Sequence, residues 1–223
     1  MGLYIGVMSG TSLDGIDVAI VDINPHDISL LAAETYPFDN HLRKDLLKLI
    51  NAGRSHLQQL GQIDMALGYA YSTAINQLLD ETHIAASDIE AIGCHGQTIY
   101  HAPEAAYPFS MQIGNAHVIA EETGINTVAD FRQHDMILGG QGAPLVPAFH
   151  QALFQDSNRN RVIANIGGIG NITVLPVGNA DKVTGFDTGP GNVLLDQWYQ
   201  QHHNDLYDDN GQWARDGEVD QAL

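Results

Sequence analysis

The chain is poor in sulfur, poor in basic residues and free of long apolar runs. Cysteine occurs once in 223 residues, which excludes an internal disulfide framework. Nine Lys and Arg stand against 27 Asp and Glu, giving a formal net charge of −18. Nucleic acids and anionic membranes are bound through clustered cations, so neither is expected as a partner. No stretch approaches the ~18 apolar residues of a membrane span, and the first residues lack a signal-peptide pattern, so we expect a cytoplasmic protein.

Metal-site patterns are also missing, although the sequence has 11 histidines. No H-E-x-x-H pair is present, and His202 and His203, as immediate neighbours on a predicted helix, cannot easily ligate one ion. A stable transition-metal site is therefore not expected. The composition, 44% hydrophobic and 16% charged, is typical of a globular protein with a real core, and the length allows one large domain or two small ones.

Hydrophobic periodicity predicts an α/β fold in two parts. A change to Gly, Gln, Ala and Pro between residues 137 and 147 marks the boundary, and we assign one domain to residues 1–141 and a second to residues 142–223. In chain order, the predicted elements are strands Leu3–Val7, Val18–Val21 and Ile28–Tyr36, helices Leu42–Ile50 and His56–Thr82, strands Asp88–Gly93 and Ser110–Ile113, helix Asn115–Glu122, strand Asn126–Ala129, helix Pro144–Phe154, and strands Arg161–Ile166, Asn171–Leu175 and Lys182–Thr184.

A polar segment with two glycines, Met8–Asp17, joins the first two predicted strands and is longer than the two-residue loop that a hairpin needs. Glycine lets several backbone N–H groups point into one space, hydroxyls add donors, and the Asp14 carboxylate can hold a hydrated Mg²⁺ beside an anion. The segment is interpreted as a grip for nucleotide phosphates, with an ordinary polar turn as the alternative. The residues assigned to it are Gly10, Thr11, Ser12, Leu13, Asp14, Gly15, Ile16 and Asp17.

A second glycine-rich turn, Asn165–Asn171, repeats the strand–turn–strand plan of the first. Its glycines allow the close backbone approach that an anionic ligand exploits, and a bulged hairpin is the alternative. The spacing matches neither a dinucleotide-binding fingerprint nor a Walker loop. Two such units indicate two α/β halves of similar plan, each offering a phosphate loop to a shared cleft. The residues assigned here are Gly167, Gly168, Gly170 and Asn171.

Asp187 is the candidate general base. It lies in Gly185–Asn192, which we predict to be a strand-to-helix turn with glycines clearing the space around the carboxylate. Such a carboxylate can deprotonate an attacking hydroxyl or water, as kinases require. The alternative is that Asp187 caps the following helix.

His95, Gln97 and Thr98 follow the predicted strand Asp88–Gly93 and combine donors with acceptors, as recognition of a polyhydroxylated ligand requires. Arg132, one of only nine cations, is a candidate to hold a carboxylate or phosphate. Cys94 beside His95 also permits a thiol-hydrolase hypothesis. Neighbours on a strand point to opposite faces, which argues against that pairing.

Five motifs together resemble the anhydro-N-acetylmuramic acid kinase family, in the family's order and over nearly the whole chain. The resemblance implies an actin-like, ribonuclease H-like fold whose two α/β halves close over ATP. It also implies a kinase that opens the 1,6-anhydro ring of anhydro-N-acetylmuramic acid with water and phosphorylates O6, in bacterial peptidoglycan recycling. The motifs are Met8–Asp17, Gly93–Thr98, Gly140–Leu145, Asn165–Asn171 and Gly185–Asn192.

The same resemblance implies roles for the candidate residues. Asp187 is the base that activates water, and Gly10 to Asp17 and Gly167 to Asn171 are the two phosphate loops. ATP and Mg²⁺ are the implied cofactors, with the ion held through water near Asp14. The residues that face the sugar are His95, Gln97, Thr98 and Arg132, the last near the lactyl carboxylate.

Members of this family carry most of another domain beyond the point where this chain ends. We therefore expect the second domain to be truncated and the adenosine pocket to lie beyond Leu223. An incomplete domain exposes apolar surface, which favours aggregation or a homodimer. The alternative function is a non-catalytic sugar-binding or interaction fragment of such a kinase.

Overall fold

The computed structural model describes residues 2–24, 27–178, 182–203, 205–219 and 221. Its internal contacts divide the chain into two compact units, Met1–Ala143 and Pro144–Leu223, with the division inside the glycine- and proline-rich segment seen in the sequence. Each unit contains strands and helices, so the predicted α/β class is confirmed.

The first unit contains six strands and four helices among its described residues. The strands are β1 (Gly2–Ser9), β2 (Ile16–Asn24), β3 (Asp27–Tyr36), β4 (Ile89–Ala102), β5 (Phe109–Ile113) and β6 (Thr127–Val128). The helices are α1 (Asn40–Ala52), α2 (Leu57–Thr82), α3 (Ala116–Thr123) and α4 (Phe131–Ile137). The opening meander, the two long helices and the short helix after Asn115 are confirmed.

These six strands form one sheet with the order β3-β2-β1-β4-β5, and β6 pairs with β4. The meander is antiparallel, whereas β4 runs parallel to β1 and to β6. Along β1, Ile5 and Val7 are buried while Gly6 and Met8 are exposed, as the two-residue period of a strand requires. One face of the sheet therefore carries the core.

The core of the first unit joins this sheet face to α2. The helix buries Ile63, Leu67, Tyr71, Ile75 and Leu78, which recur at steps of three and four residues and so share one face. They belong to the same hydrophobic cluster as the inward residues of β1, β2 and β4.

Helix ends in this unit follow the sequence signals. Helix α1 ends at Gly53, whose φ of 59° is left-handed and suits glycine. At the start of α3, the Asn115 side chain accepts hydrogen bonds from the backbone N–H groups of His117 and Val118. Each of these helix ends is thus set by a single local residue.

Two predicted elements are corrected. The strand predicted to end at Gly93 continues to Ala102, because β4 leaves β1 and pairs antiparallel with β5 from Gln97 onward. Gly96, with a φ of 74°, allows the bend at this change of partner. The helix predicted from Pro144 begins three residues later, at Pro147, where the fixed φ of proline suits the first helical position.

The second unit is smaller and more open. It contains α5 (Pro147–Phe154), strands β7 (Arg161–Ile166), β8 (Ile169–Leu175) and β9 (Thr184–Pro190) in one antiparallel sheet, then α6 (Val193–His202) and α7 (Gln212–Arg215). Among its described residues, Leu175 is the one hydrophobic side chain that is fully buried. Across the described parts of both units, no helix combines the length and apolar character needed to cross a membrane.

Candidate functional site

The first glycine loop, residues 10–15, is anchored to the core of the first unit by the side chain of Leu13. Leu13 is fully buried although it lies in a loop, and its backbone has a left-handed φ of 52°. Its N–H donates to the Gly10 carbonyl at 3.1 Å, and its own carbonyl accepts from Nε of Arg43 at 2.7 Å. Burial of Leu13 and the bond from α1 therefore hold the loop in one shape, which an unsupported polar turn would not have.

The polar side chains of this loop remain on its surface. Thr11, Ser12 and Asp14 are exposed, and Oγ of Ser12 donates to Oδ1 of Asp14 at 2.9 Å. On the adjoining strand, Asp17 is exposed and accepts from Oγ1 of Thr35 at 2.7 Å, whereas Ile16 is buried. The loop thus offers hydroxyl and carboxylate groups to solvent from an anchored backbone.

His95 and Arg132, which are far apart in sequence, lie in contact. Nε of Arg132 donates to Nε2 of His95 at 2.8 Å, and Nδ1 of His95 lies 2.8 Å from the Gly96 carbonyl. Since Nε2 accepts, the proton of the neutral ring must be on Nδ1, where it donates to that carbonyl. Burial, followed by the nearby Arg132 charge, lowers the pKa of His95, so the imidazole is neutral at neutral pH.

Arg132 also holds the segment that leads to the second unit. Its Nη1 donates to the Gly142 carbonyl at 2.6 Å, while the Gly142 N–H donates to Oδ2 of Asp135 at 2.8 Å. The guanidinium therefore connects β4, through His95, to the Gly140–Leu145 motif. This contact explains the glycine there, because Gly142 has a φ of 72° and a Cβ would lie 2.9 Å from Met136.

A groove of about 480 Å³ on the sheet face that carries Gly6 and Ala19 brings some of these residues together. Asp17, His95 and Phe131 stand along it, above the small residues Gly6 and Ala19. The first unit thus gathers a carboxylate, a neutral imidazole and an aromatic ring around one open space.

The remaining candidates on β4 differ in exposure. Thr98 is half-buried and its Oγ1 accepts from Gln112, whereas Gln97 is completely buried, with Oε1 accepting from Ser9 at 2.7 Å and Nε2 donating to the Thr98 carbonyl at 3.2 Å. The structure therefore places Gln97 in the core and not on a ligand-facing surface, because the bend at Gly96 interrupts the two-residue alternation of β4 and turns Gln97 inward. Sequence reasoning treated the motif as one surface and missed this bend.

The thiol-hydrolase hypothesis does not fit the position of Cys94. The side chain is buried among core residues, and its Sγ lies 3.9 Å from the Gly114 carbonyl. Burial raises the pKa of the thiol to about 12, so it stays protonated and unreactive at neutral pH.

In the second unit, the second glycine loop packs on the start of α6. The Gly191 N–H donates to the Gly168 carbonyl and the Asn192 N–H to the Gly167 carbonyl, both at 2.8 Å. A Cβ on Gly191 would lie 2.2 Å from the Gly167 oxygen, so the two segments approach as closely as glycine permits. The Asn165–Asn171 and Gly185–Asn192 motifs are therefore two sides of one structural feature.

Asp187 lies within β9, so its predicted place on a strand-to-helix turn is wrong. Gly189 and Pro190 resemble turn residues, but here they pair with β8 across a register shift beside Gly170, as in a bulged strand. The register sets Asp187 opposite Asn171, and Asn171 opposite Asn165. Directly opposed residues share a sheet face, so these three polar side chains form a row.

Within this row, the side-chain amide oxygen of Asn171 is unusual in its hydrogen bonding. Its Oδ1 is buried and has no hydrogen-bond partner among the described residues. A buried amide oxygen without a donor is unfavourable and rare in native proteins. Asp187, in contrast, is exposed at the edge of the row, where solvent reaches its carboxylate.

Sequence reasoning missed several residues that support the site from within. Tyr71 and Asp64 lie on α2, and the Asp64 carboxylate accepts from the Gly114 N–H and from Nδ2 of Asn115. Ser9 and Arg43 were not selected either. A signal existed for Tyr71, since a hydroxyl in the apolar stripe of a long helix needs a buried partner.

Known proteins are similar to this chain over nearly its whole length. The sequence profile of the family described as anhydro-N-acetylmuramic acid kinase matches residues 2–223. A protein of that name from Aliivibrio fischeri is 52% identical over 219 residues, covering 98% of this chain and 59% of its own length. Proteins of that name from Pasteurella multocida and Haemophilus influenzae are 51% and 48% identical, each covering 99% of this chain and 58% and 57% of their own lengths. The chain thus spans less than two thirds of these curated relatives.

Solved structures with related chain traces are more distant. The Aquifex aeolicus member of the Ppx/GppA family has a TM-score of 0.45 and 12% identity, covering 89% of this chain and 54% of its own. A reductive activator for a corrinoid, iron-sulfur protein has a TM-score of 0.46 and 16% identity, covering 85% of this chain and 31% of its own. The family assignment therefore depends on the sequence relatives, and on that basis the chain belongs to the anhydro-N-acetylmuramic acid kinase family.

Proposed function

We propose that the chain is the catalytic core, in part, of a cytoplasmic ATP-dependent kinase that opens 1,6-anhydro-N-acetylmuramic acid and phosphorylates its O6 during peptidoglycan recycling. The observation that carries the proposal is the family match over residues 2–223, which includes both glycine loops and Asp187. The two compact units would correspond to an actin-like first domain and the opening of a second.

The nucleotide phosphates are assigned to the two glycine loops. In a chain with a net charge of −18, phosphate has to be held by backbone N–H groups, hydroxyls and a metal ion, because cations are scarce. The anchored first loop, with Thr11 and Ser12 exposed, supports this role. Gly167, Gly168, Gly170 and Asn171 would form the second grip.

Mg²⁺ fits the first loop only as a water-mediated ion. No cluster of three or more His, Cys, Asp or Glu side chains suited to a metal occurs among the described residues, and Asp14 is a single exposed carboxylate. Mg²⁺ typically keeps several waters and binds through one or two carboxylates plus substrate phosphates, which this loop can provide. When bound, the ion would neutralise charge on the phosphates.

The sugar is assigned to the His95 side of the first unit. Arg132 is half-buried beside His95, and its guanidinium carries the positive charge that a lactyl carboxylate needs. Thr98, half-buried on the same strand, would contact sugar hydroxyls. Gln97 was assigned here from the sequence, and its buried position supports a different role.

Asp187 would supply the base. It takes a proton from water as the water oxygen bonds to the anomeric carbon and the bond from that carbon to O6 breaks. The released O6 oxyanion then bonds to the γ-phosphorus of ATP, and ADP leaves. One base therefore serves both the opening and the transfer, since the first step generates the nucleophile of the second.

A turnover assay with the purified chain tests the proposal. Formation of the 6-phosphate and ADP from the anhydro-sugar and Mg·ATP would establish the kinase activity in this chain, and Asp187→Asn should then abolish turnover while leaving sugar affinity measured by calorimetry within about twofold. Binding of the sugar without nucleotide binding or turnover would favour the alternative, a non-catalytic sugar-binding fragment. Binding of neither ligand would contradict both.

The oligomeric state is a further part of the proposal. The second unit exposes large apolar side chains, which a homodimer would cover; they include Leu194, Leu195 and Trp198 on α6. Analytical ultracentrifugation at several concentrations tests this, and a monomer throughout would contradict it.

A further inference from the structure

A buried chain of three hydrogen-bonded side chains links α2, β1 and β4. The Tyr71 hydroxyl lies 2.6 Å from Oγ of Ser9, and Oγ of Ser9 lies 2.7 Å from Oε1 of Gln97. All three residues are buried, with Tyr71 and Gln97 fully so. Nε2 of Gln97 continues the chain to the Thr98 carbonyl at 3.2 Å.

The proton positions follow from this geometry. Ser9 has one hydroxyl proton, and it is directed at the Gln97 carbonyl oxygen, which cannot donate. Tyr71 must therefore donate to Ser9. Burial raises the pKa of Tyr71, so its phenol keeps the proton that this arrangement needs. The hydrogen bonds thus have one donor-to-acceptor order, from Tyr71 through Ser9 and Gln97 to the Thr98 carbonyl. Fully satisfied buried networks of this kind hold their elements in a unique arrangement.

The network is located where backbone pairing can no longer hold β1 to β4. Their parallel ladder ends with Met8 opposite Gly96, after a register shift. Ser9 is the last residue of β1, immediately before the first glycine loop, and Gln97 lies between His95 and Thr98 on β4. Past the end of the ladder, the Ser9–Gln97 bond is the side-chain link between the two segments.

We propose that Gln97, with Ser9 and Tyr71, is a positioning residue that fixes the first glycine loop relative to His95 and Thr98 from inside the core. This proposal rests on the proposed function, because it assigns the two ends of the network to the phosphate and sugar sides of that site. It replaces direct contact of Gln97 with the sugar. It also explains why two motifs far apart in sequence each contain a polar residue directed inward.

The test uses the 223-residue chain with Gln97→Met, Tyr71→Phe and a matched control. Gln97→Met keeps the length of the side chain and removes both hydrogen bonds, and Tyr71→Phe removes the donor to Ser9. Ser72→Ala is the control, because Ser72 is equally buried on α2 but donates within the helix, to the Gly68 carbonyl at 2.9 Å. Each variant is measured at the temperature at which its free energy of unfolding equals that of the wild type.

Two readouts are measured, the amide NMR signals of residues 10–15 and the calorimetric affinity for Mg·ATP and for the anhydro-sugar. We expect both network variants to shift the loop signals and to weaken Mg·ATP binding by about threefold to tenfold, as loss of a buried hydrogen bond implies. Ser72→Ala should change neither.

Unchanged loop signals in Tyr71→Phe and in Gln97→Met would overturn the proposal, and loss of sugar affinity alone in Gln97→Met would restore direct contact. If Gln97→Met does not fold, Tyr71→Phe decides by the same criteria. If wild type binds neither ligand, the proposed function fails, while the loop signals still decide whether the network positions the loop.

Discussion

Both units of this chain are built from strands and helices, but they differ in how much hydrophobic core they bury. In the first unit, α2 and the inward face of the sheet enclose a continuous core that includes Leu67, Tyr71 and Ile92, all inaccessible to solvent. In the second unit, three strands and three helices bury Leu175 fully, while Leu195 is 71% exposed. A three-stranded sheet such as β7-β8-β9 is stable only when one of its faces packs against other apolar residues, so the same kinds of element do not by themselves give an equally stable unit.

The two glycine loops differ in what supports them within their own units. The first loop rests on Leu13, Arg43 and the Ser9–Gln97–Tyr71 network, all tied to the core. The second loop rests on backbone bonds between Gly167, Gly168 and the start of α6. Since the free energy of local unfolding is lowest where few apolar contacts exist, the second unit is expected to be less stable than the first.

The largest expected effect is in the core of the first unit. Leu67→Ala removes a completely buried side chain from α2 and should lower the free energy of unfolding by about 2–5 kcal/mol, from lost burial and the cavity that remains. Val219→Ala, at an exposed position of the second unit, should change it by no more than about 0.5 kcal/mol. Denaturant unfolding followed by far-UV circular dichroism measures both, and equal effects would contradict the contrast between the units.

A paired glycine substitution gives the next effect. In Gly15→Ala the new Cβ would lie 2.3 Å from Cγ2 of Thr35, a β-branched side chain held by its hydrogen bond to Asp17, so we expect a loss of about 1–3 kcal/mol. Gly61→Ala is the control, since Gly61 lies on α2 with no atom near the added carbon, and it should stabilise by about 0.5–1 kcal/mol. Thermal unfolding distinguishes the two, and a neutral Gly15→Ala would show that the loop base is looser than described.

Helix capping separates the units by a smaller amount. Asn115→Ala removes the side chain that accepts from two N–H groups of α3 and should cost about 1 kcal/mol. Asn192→Ala, at the corresponding position of α6, should cost little, because that side chain makes no capping bond. Urea midpoints of the two variants test this, and the reverse order would contradict the capping geometry.

The smallest expected effect is a pH dependence at His95. Its lowered pKa means that the unfolded chain, with a histidine pKa of about 6.5, takes up the proton first as the pH falls. The contribution of neutral His95 to the free energy of unfolding is therefore complete above about pH 6.5 and is lost at lower pH. His95→Gln should flatten the unfolding free energy between pH 7.5 and 5.5, whereas the exposed His117→Gln should not. An unchanged slope in His95→Gln would remove His95 as the cause.

Prediction from sequence succeeded where local pattern and burial agree. The meander, α1, α2 and α3 follow from apolar periodicity, Gly53 and Asn115, each a local signal. The extension of β4 and the strand position of Asp187 were missed, because both depend on partner strands that the local sequence does not specify. Gln97 was misplaced for a related reason: a polar residue at an inward strand position becomes intelligible only once Ser9 and Tyr71 lie beside it.

Hydrogen–deuterium exchange on the intact chain, read peptide by peptide, tests the contrast between the units most directly. We predict that peptides from α2, β1 and β4 exchange at least about a hundredfold more slowly than peptides from β7, β9 and α6, as opening energies a few kcal/mol apart imply. Equal protection of the two sets would contradict the claim that the first unit holds the stable core of the chain and the second does not.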